Sequence, residues 1–242
     1  MRIIIINILC LIIVFNLNAQ KYDAEAIIDD KLNAYVNTVN EYSIIFSGKE
    51  ESGYARYILN HPYLDTKEFR KGMMSFDGRV YPNLMLRLNL DREELIVLTP
   101  EKNFPVVIQR NMLDYAMIDS MLIFYNDLET AKQNKLPQGY YVRIYNGEHQ
   151  VWKREFFTLK YYHNVRTEMA DYVFEKKIWF YIFKDGVYHP VKSKGSVLNF
   201  FAAKKKELKN FIKQKDYIFR SNPESAIVAI ADYYDKLSNS DL

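Results

Sequence analysis

Four histidines, His61, His149, His163 and His189, are the side chains best suited to moving protons or holding a metal near neutral pH. No two are close enough along the chain to form a ligand pair, so a metal site would need folding to gather them with carboxylates. They read as surface or hydrogen-bonded side chains. The 30 acidic residues could supply a carboxylate pair for glycoside hydrolysis, yet spacing singles out no pair. Gly-x-Ser-x-Gly, Ser-x-x-Lys and His-Glu-x-x-His are all absent. The eight glycines are spaced wrongly for phosphate or dinucleotide loops. The sequence thus designates no catalytic residue, no metal ligand and no cofactor.

Aromatic residues are the more telling chemistry. The chain carries 20 tyrosines and 15 phenylalanines. Ile178, Phe180 and Ile182 alternate with Trp179, Tyr181 and Phe183, so a strand here is apolar on both faces. Such a strand is covered on both sides or lines an apolar cavity. Trp179, Tyr181 and Phe183 are therefore the candidate ligand-binding residues. Lys206, Lys209 and Lys213 share one face of an expected helix and are the candidates for an acidic partner or an anionic surface.

The elements that must position these residues are mostly strands. Asp77-Gly78, Asn146-Gly147 and Asp185-Gly186 each lie between apolar runs, as two-residue hairpin turns do. Leu84, Leu86, Leu88 and Leu90 alternate with Asn83, Met85, Arg87 and Asn89. Segments 94–98, 105–109, 121–125, 140–145, 149–155, 157–162 and 178–184 read as further strands. After Val191 the period changes to a helical one. Val197, Phe201, Leu208, Phe211 and Ile212 make one stripe over 196–214. A second helix is expected from Ser221, with Glu224 completing a capping box and Pro223 in its first turn. Residues 28–39 predict a short helix, and 43–46 look extended. The expected fold is mainly β (α+β): an antiparallel meander over 71–192, strongly curved or half-barrelled. Two C-terminal amphipathic helices over 193–242 pack on it, after an N-terminal segment over 20–70. Polar strand positions such as Arg87 and Asn89, with the helical C-terminus, argue against a membrane-spanning barrel.

Met1–Ala19 has the form of a secretory leader: Arg2, an apolar run from Ile3 to Leu17, and a small residue at Ala19. Cys10 is the single cysteine and lies inside that leader, preceded by the large Leu9. A mature chain from Gln20 would have no thiol, hence no disulfide and no cysteine chemistry. It would carry 32 basic against 30 acidic residues, close to neutrality and without general affinity for polyanions such as nucleic acid.

Ser47-Gly48-Lys49-Glu50, Asn60-His61-Pro62-Tyr63-Leu64, Gly72 to Tyr81, Leu84 to Leu98 and Lys206-Glu207-Leu208-Lys209 form a pattern, with Asn18-Ala19-Gln20 closing the leader. The pattern resembles a family of small exported envelope proteins typical of Bacteroidetes-type bacteria. That family has no assigned activity, so the resemblance implies an envelope location and a single domain, and carries over no site residue. The expectation is a non-enzymatic exported protein that binds another envelope or outer-membrane component. A carrier of an apolar ligand and an enzyme acting on glycans are the alternatives.

Overall fold

The computed structural model describes residues 44–54, 58–100, 104–164, 169–215, 219 and 221–240. The expected leader and the expected helix over 28–39 lie outside them. The chain divides into two units, Met1–Ser47 and Gly48–Leu242. Of the first, residues 44–46 form a turn rather than the expected extended stretch, closed by the Ser47 N–H and hydroxyl on the Ile44 carbonyl.

Among its described residues, the second unit is built on one antiparallel sheet of ten strands: β1 Arg70–Phe76, β2 Arg79–Asn89, β3 Glu94–Leu98, β4 Pro105–Val107, β5 Leu113–Ile118, β6 Met121–Asn126, β7 Gly139–Tyr145, β8 Gln150–Asn164, β9 Met169–Lys184 and β10 Val187–Val191. The order is β10-β9-β8-β7-β6-β5-β1-β2-β3-β4. A meander runs outward through β1–β4, and a second runs the other way from β5, which pairs with β1. The sheet is open. It is also bent: the Phe157 N–H on β8 donates to Leu90 at the end of β2, at 3.2 Å. Five strand spacings would separate those strands by about 24 Å in a flat sheet.

Two of the three expected tight turns form as read. Asp77 and Gly78, and likewise Asp185 and Gly186, all have positive φ and close two-residue hairpins. Asn146-Gly147 does not; a longer loop, residues 146–149, joins β7 to β8. The expected strands 149–155 and 157–162 are one continuous strand, β8, because β9 pairs with it along its whole length. Two positions that the pattern did not mark shape other corners. Asp119 takes positive φ between β5 and β6, and the buried Asn89 side chain accepts the Asp91 and Arg92 N–H groups at 3.1 Å after β2.

Among the described residues, four α-helices complete the unit: α1 Leu128–Asn134, α2 Lys194–Phe200, α3 Lys205–Gln214 and α4 Pro223–Ser240. The single helix expected over 196–214 is broken between α2 and α3. Phe201 leaves helical geometry there (φ −92°, ψ 43°), with its buried ring against His149 and Tyr234. α4 is capped by Asn222, which accepts the Ser225 N–H at 3.1 Å, rather than by Ser221. Pro223 occupies its first position, where no donor is lost.

One face of β8–β10, with Val151, Phe180, Ile182 and Val191, is buried under α2–α4 through Val197, Leu198, Phe201, Leu208, Ile212, Ile227 and Ile230. The opposite face buries Tyr141, Trp152 and Tyr181 with Leu136, just after α1. Each such side chain contributes roughly 2 kcal/mol. Among the described residues, no helix is long and apolar enough to cross a membrane.

Candidate functional site

Exposed strand edges are a hazard, and this chain covers most of its own. Along β4, Glu50 pairs with Val106, the Glu51 N–H donates to Pro105 and the Val107 N–H to Lys49. Gly48 is needed for that approach, since a Cβ there would lie 1.9 Å from the Val107 carbonyl oxygen. Further along, the segment 58–60 lies against β9. The Leu59 N–H donates to Tyr172 at 3.0 Å. The Asn60 side chain then acts as a substitute peptide, donating to the Phe174 carbonyl at 2.9 Å and accepting the Phe174 N–H at 2.8 Å.

From the other end, β10 covers β9 only from Lys184 back to Phe180, which pairs with Val191. The turn at Asp185-Gly186 makes Lys184 and Val187 a hydrogen-bonded pair. By alternation, the even-numbered residues of β9 direct their N–H and C=O groups away from β8. Pro190 agrees, because its missing N–H falls at a position facing the outer edge of β10. After Val191 the chain turns into α2. A gap is left between Phe174 and Phe180, where the outward N–H and C=O groups of Lys176 and Ile178 meet no backbone partner among the described residues. Residues 176–179 are all exposed in mid-strand, and Ile178 and Trp179 are each 38 % exposed.

A groove of about 640 Å³ opens at this gap. Ile178, Phe180, Val191, Phe219 and Ile227 line it from the helix-covered face of the sheet, and Trp179, Tyr181 and Pro137 from the other. A smaller polar cleft of about 310 Å³ lies at the Phe174–Lys176 end, with Asn60, His61, Tyr63 and Glu155. Lys135 and Lys192 stand at the rim of the groove, and Lys176 and Lys177 on the exposed run between the two.

Of the residues singled out by sequence, Trp179 and Tyr181 line the groove and Phe183 does not. Trp179 packs edge-on against Phe156 at 4.7 Å, with the Arg154 guanidinium 5.5 Å from its ring. Tyr181 is buried against Tyr141, and Phe183 lies against Tyr188 on the far side of the same layer. The doubly apolar strand is therefore covered on both faces at its C-terminal end and open at Ile178 and Trp179. Lys206, Lys209 and Lys213 are exposed on α3, and no ion pair engages them among the described residues. The gap itself was not legible in the sequence, because backbone groups carry no residue-type signature. Pro190 was the one available marker of an edge.

Two charged constellations lie nearby. Lys153 on β8 is buried between Glu155 at 2.9 Å and Glu224 of α4 at 3.0 Å, with Lys176 3.8 Å from Glu155. Burial pulls the Lys153 ammonium down, but the two carboxylates outweigh it, leaving its pKa above the usual lysine range. Both carboxylates are thus engaged in neutralising a cation. The second constellation is His149, whose Nδ1 lies 2.6 Å from Asp235 Oδ1. Asp235 also accepts the His149 backbone N–H at 3.2 Å and the Tyr145 hydroxyl at 3.0 Å. Glu148, His149 and Asp235 offer ligand atoms within 4.8 Å of one another, a set able to hold a divalent cation. The hydrogen bonds satisfy the buried pair without one. Among the described residues, no serine, threonine or lysine hydrogen-bonds the ring.

Comparison with family models, with curated proteins and with solved structures finds no match for this chain.

Proposed function

We propose that the protein is a non-enzymatic binding module of the cell envelope, exported by the leader at Met1–Ala19, and that it engages another envelope component at the open edge of β9. The observation that carries this reading is the exposed run Lys176–Trp179. It sits in the middle of a long strand whose flanks the chain covers with Asn60 on one side and β10 on the other, beside an apolar groove. Apolar side chains beside an unpaired strand edge and an apolar groove are a ready template for a partner. The exposed Lys206, Lys209 and Lys213 support a second contact, with an acidic surface.

A photo-reactive amino acid in place of Trp179, in the full chain expressed in its own cells, tests the site. The control position is Val80, 52 % exposed on the β1–β2 hairpin. A discrete adduct with an envelope protein is expected from position 179 and not from 80. Identical adducts from both, or none from 179, would overturn the reading. Export is tested by the mass of the native chain: it is expected to begin at Gln20, and Met1 retained on cytosolic material would refute it.

The groove's apolar lining also supports a carrier of an apolar small molecule. In that case native mass spectrometry of the purified chain would show a bound lipid-sized species that Phe180→Arg removes.

A further inference from the structure

We infer that the occupant of the β9 edge is an extended peptide segment of the partner, added as a strand in the lane that β10 vacates at Val191; this rests on the binding reading above and specifies its ligand. The backbone carries the argument. Lys176 and Ile178 direct two N–H and two C=O groups outward, alternating as a strand edge does, and such a row is complementary to a peptide main chain. The molecule already uses this complementarity twice along the same edge. Asn60 supplies an amide opposite Phe174, and β10 supplies backbone opposite Phe180. An apolar small molecule offers none of these four groups a hydrogen-bond partner.

Side chains then set the sequence of the segment. Residues of an added strand alternate in direction with a period of two, about 6.7 Å apart on one face. On the helix-covered face the lane runs from the polar cleft at Phe174, Lys176 and Glu155 to the apolar groove at Ile178 and Phe180. The segment therefore places an apolar side chain beside Phe180 and Ile227, and a polar one, two residues away, beside Asn60 and His61. Lys135, Lys176, Lys177 and Lys192 make the surroundings basic, so acidic residues flank the apolar anchor.

The experiment uses the full chain and a displayed library of short random linear peptides. Selected peptides are expected to carry an apolar residue with acidic neighbours. Ile178→Pro removes an outward N–H that serves no bond within the sheet, and fills the lane with its ring. It is expected to weaken binding of those peptides by at least about tenfold, while Ile178→Val stays within about threefold. N-methylation of the pairing amides in a selected peptide is expected to weaken binding to the unaltered protein by at least about tenfold too. That second measurement stands whether or not Ile178→Pro folds. If selected peptides lose affinity with Trp179→Ala but ignore both N-methylation and Ile178→Pro, strand addition is wrong and the groove remains a binding site. If no substitution around the groove affects them, or if nothing is selected, strand addition is overturned. The adduct from position 179 then decides separately whether the site binds a partner at all.

Discussion

Gly147 shows how one residue type can be read correctly for its freedom and wrongly for its purpose. Beside Asn146 it looks like half of a hairpin turn, yet its φ is not positive. Its role is close approach: a Cβ there would lie 2.3 Å from both Asp235 Oδ2 and the Tyr145 hydroxyl oxygen. The loop folds down onto α4, so that His149 and Asp235 meet at 2.6 Å with the edges of Phe200, Phe201 and Tyr234 around the ring. Asp235 accepts from three donors: the Tyr145 hydroxyl, the His149 N–H and the His149 ring. Asp235→Ala leaves the two buried His149 donors without this partner and is expected to cost roughly 3 kcal/mol in urea unfolding. Gly147→Ala should cost about 1–3 kcal/mol through the clash. A midpoint unchanged in both variants would mean that the loop does not depend on this contact. The sequence left His149 as a surface or a hydrogen-bonded side chain; its partner lies 86 residues away and no local pattern could supply it.

At the scale of elements, period-two alternation was enough to find β2, where Leu84, Leu86 and Leu88 are buried and Met85 and Arg87 between them are partly exposed. It failed where that contrast is missing. β8 was read as two strands, 149–155 and 157–162, although β9 pairs with it throughout and its Lys153 and Glu155 are buried as an ion pair. The pair joins β8 to the first turn of α4 through Glu224. Lys153→Met strands the buried Glu155 carboxylate with Lys176 at 3.8 Å as its remaining partner, and is expected to destabilise by about 3 kcal/mol. Replacing Glu155 as well, in Lys153→Met with Glu155→Leu, should restore most of that loss, since neither charge is then left unpaired. Urea unfolding of the two variants checks this, and a double variant no more stable than the single one would contradict it. The gap on β9 belongs to the same scale. Two of the side chains that the sequence singled out, Trp179 and Tyr181, line the groove beside it, but the gap is made by where Asn60 and β10 stop, a matter of pairing rather than residue type.

Across the whole molecule, the pairing of β5 with β1 was beyond sequence reasoning, since it joins segments about forty residues apart through backbone groups alone. The abundance of tyrosine was in plain view, and its consequence is set by the fold. Tyr54, Tyr63, Tyr140, Tyr141, Tyr145 and Tyr181 all have hydroxyls whose pKa is raised, in each case first by burial. Tyr63, which also donates to the Glu51 carboxylate, is pushed up to about 12. In the unfolded chain these hydroxyls ionise near pH 10. Between about pH 10 and 12 the native state thus holds protons that the unfolded state has released, so stability falls as pH rises. The contribution is complete below about pH 10, and no tyrosine adds to stability loss on the acid side. Because the raised hydroxyls sit on β7, β9 and the segment before β1, their ionisation is coupled to loss of the sheet as a unit. A pH titration followed by tyrosinate absorbance and circular dichroism together should show one group of tyrosines ionising near pH 10 with the dichroism intact. A second group should appear only in a cooperative step, at higher pH, as the dichroism is lost. Smooth ionisation of every tyrosine near pH 10, with the sheet signal retained, would show that these hydroxyls are not held in the packed interior.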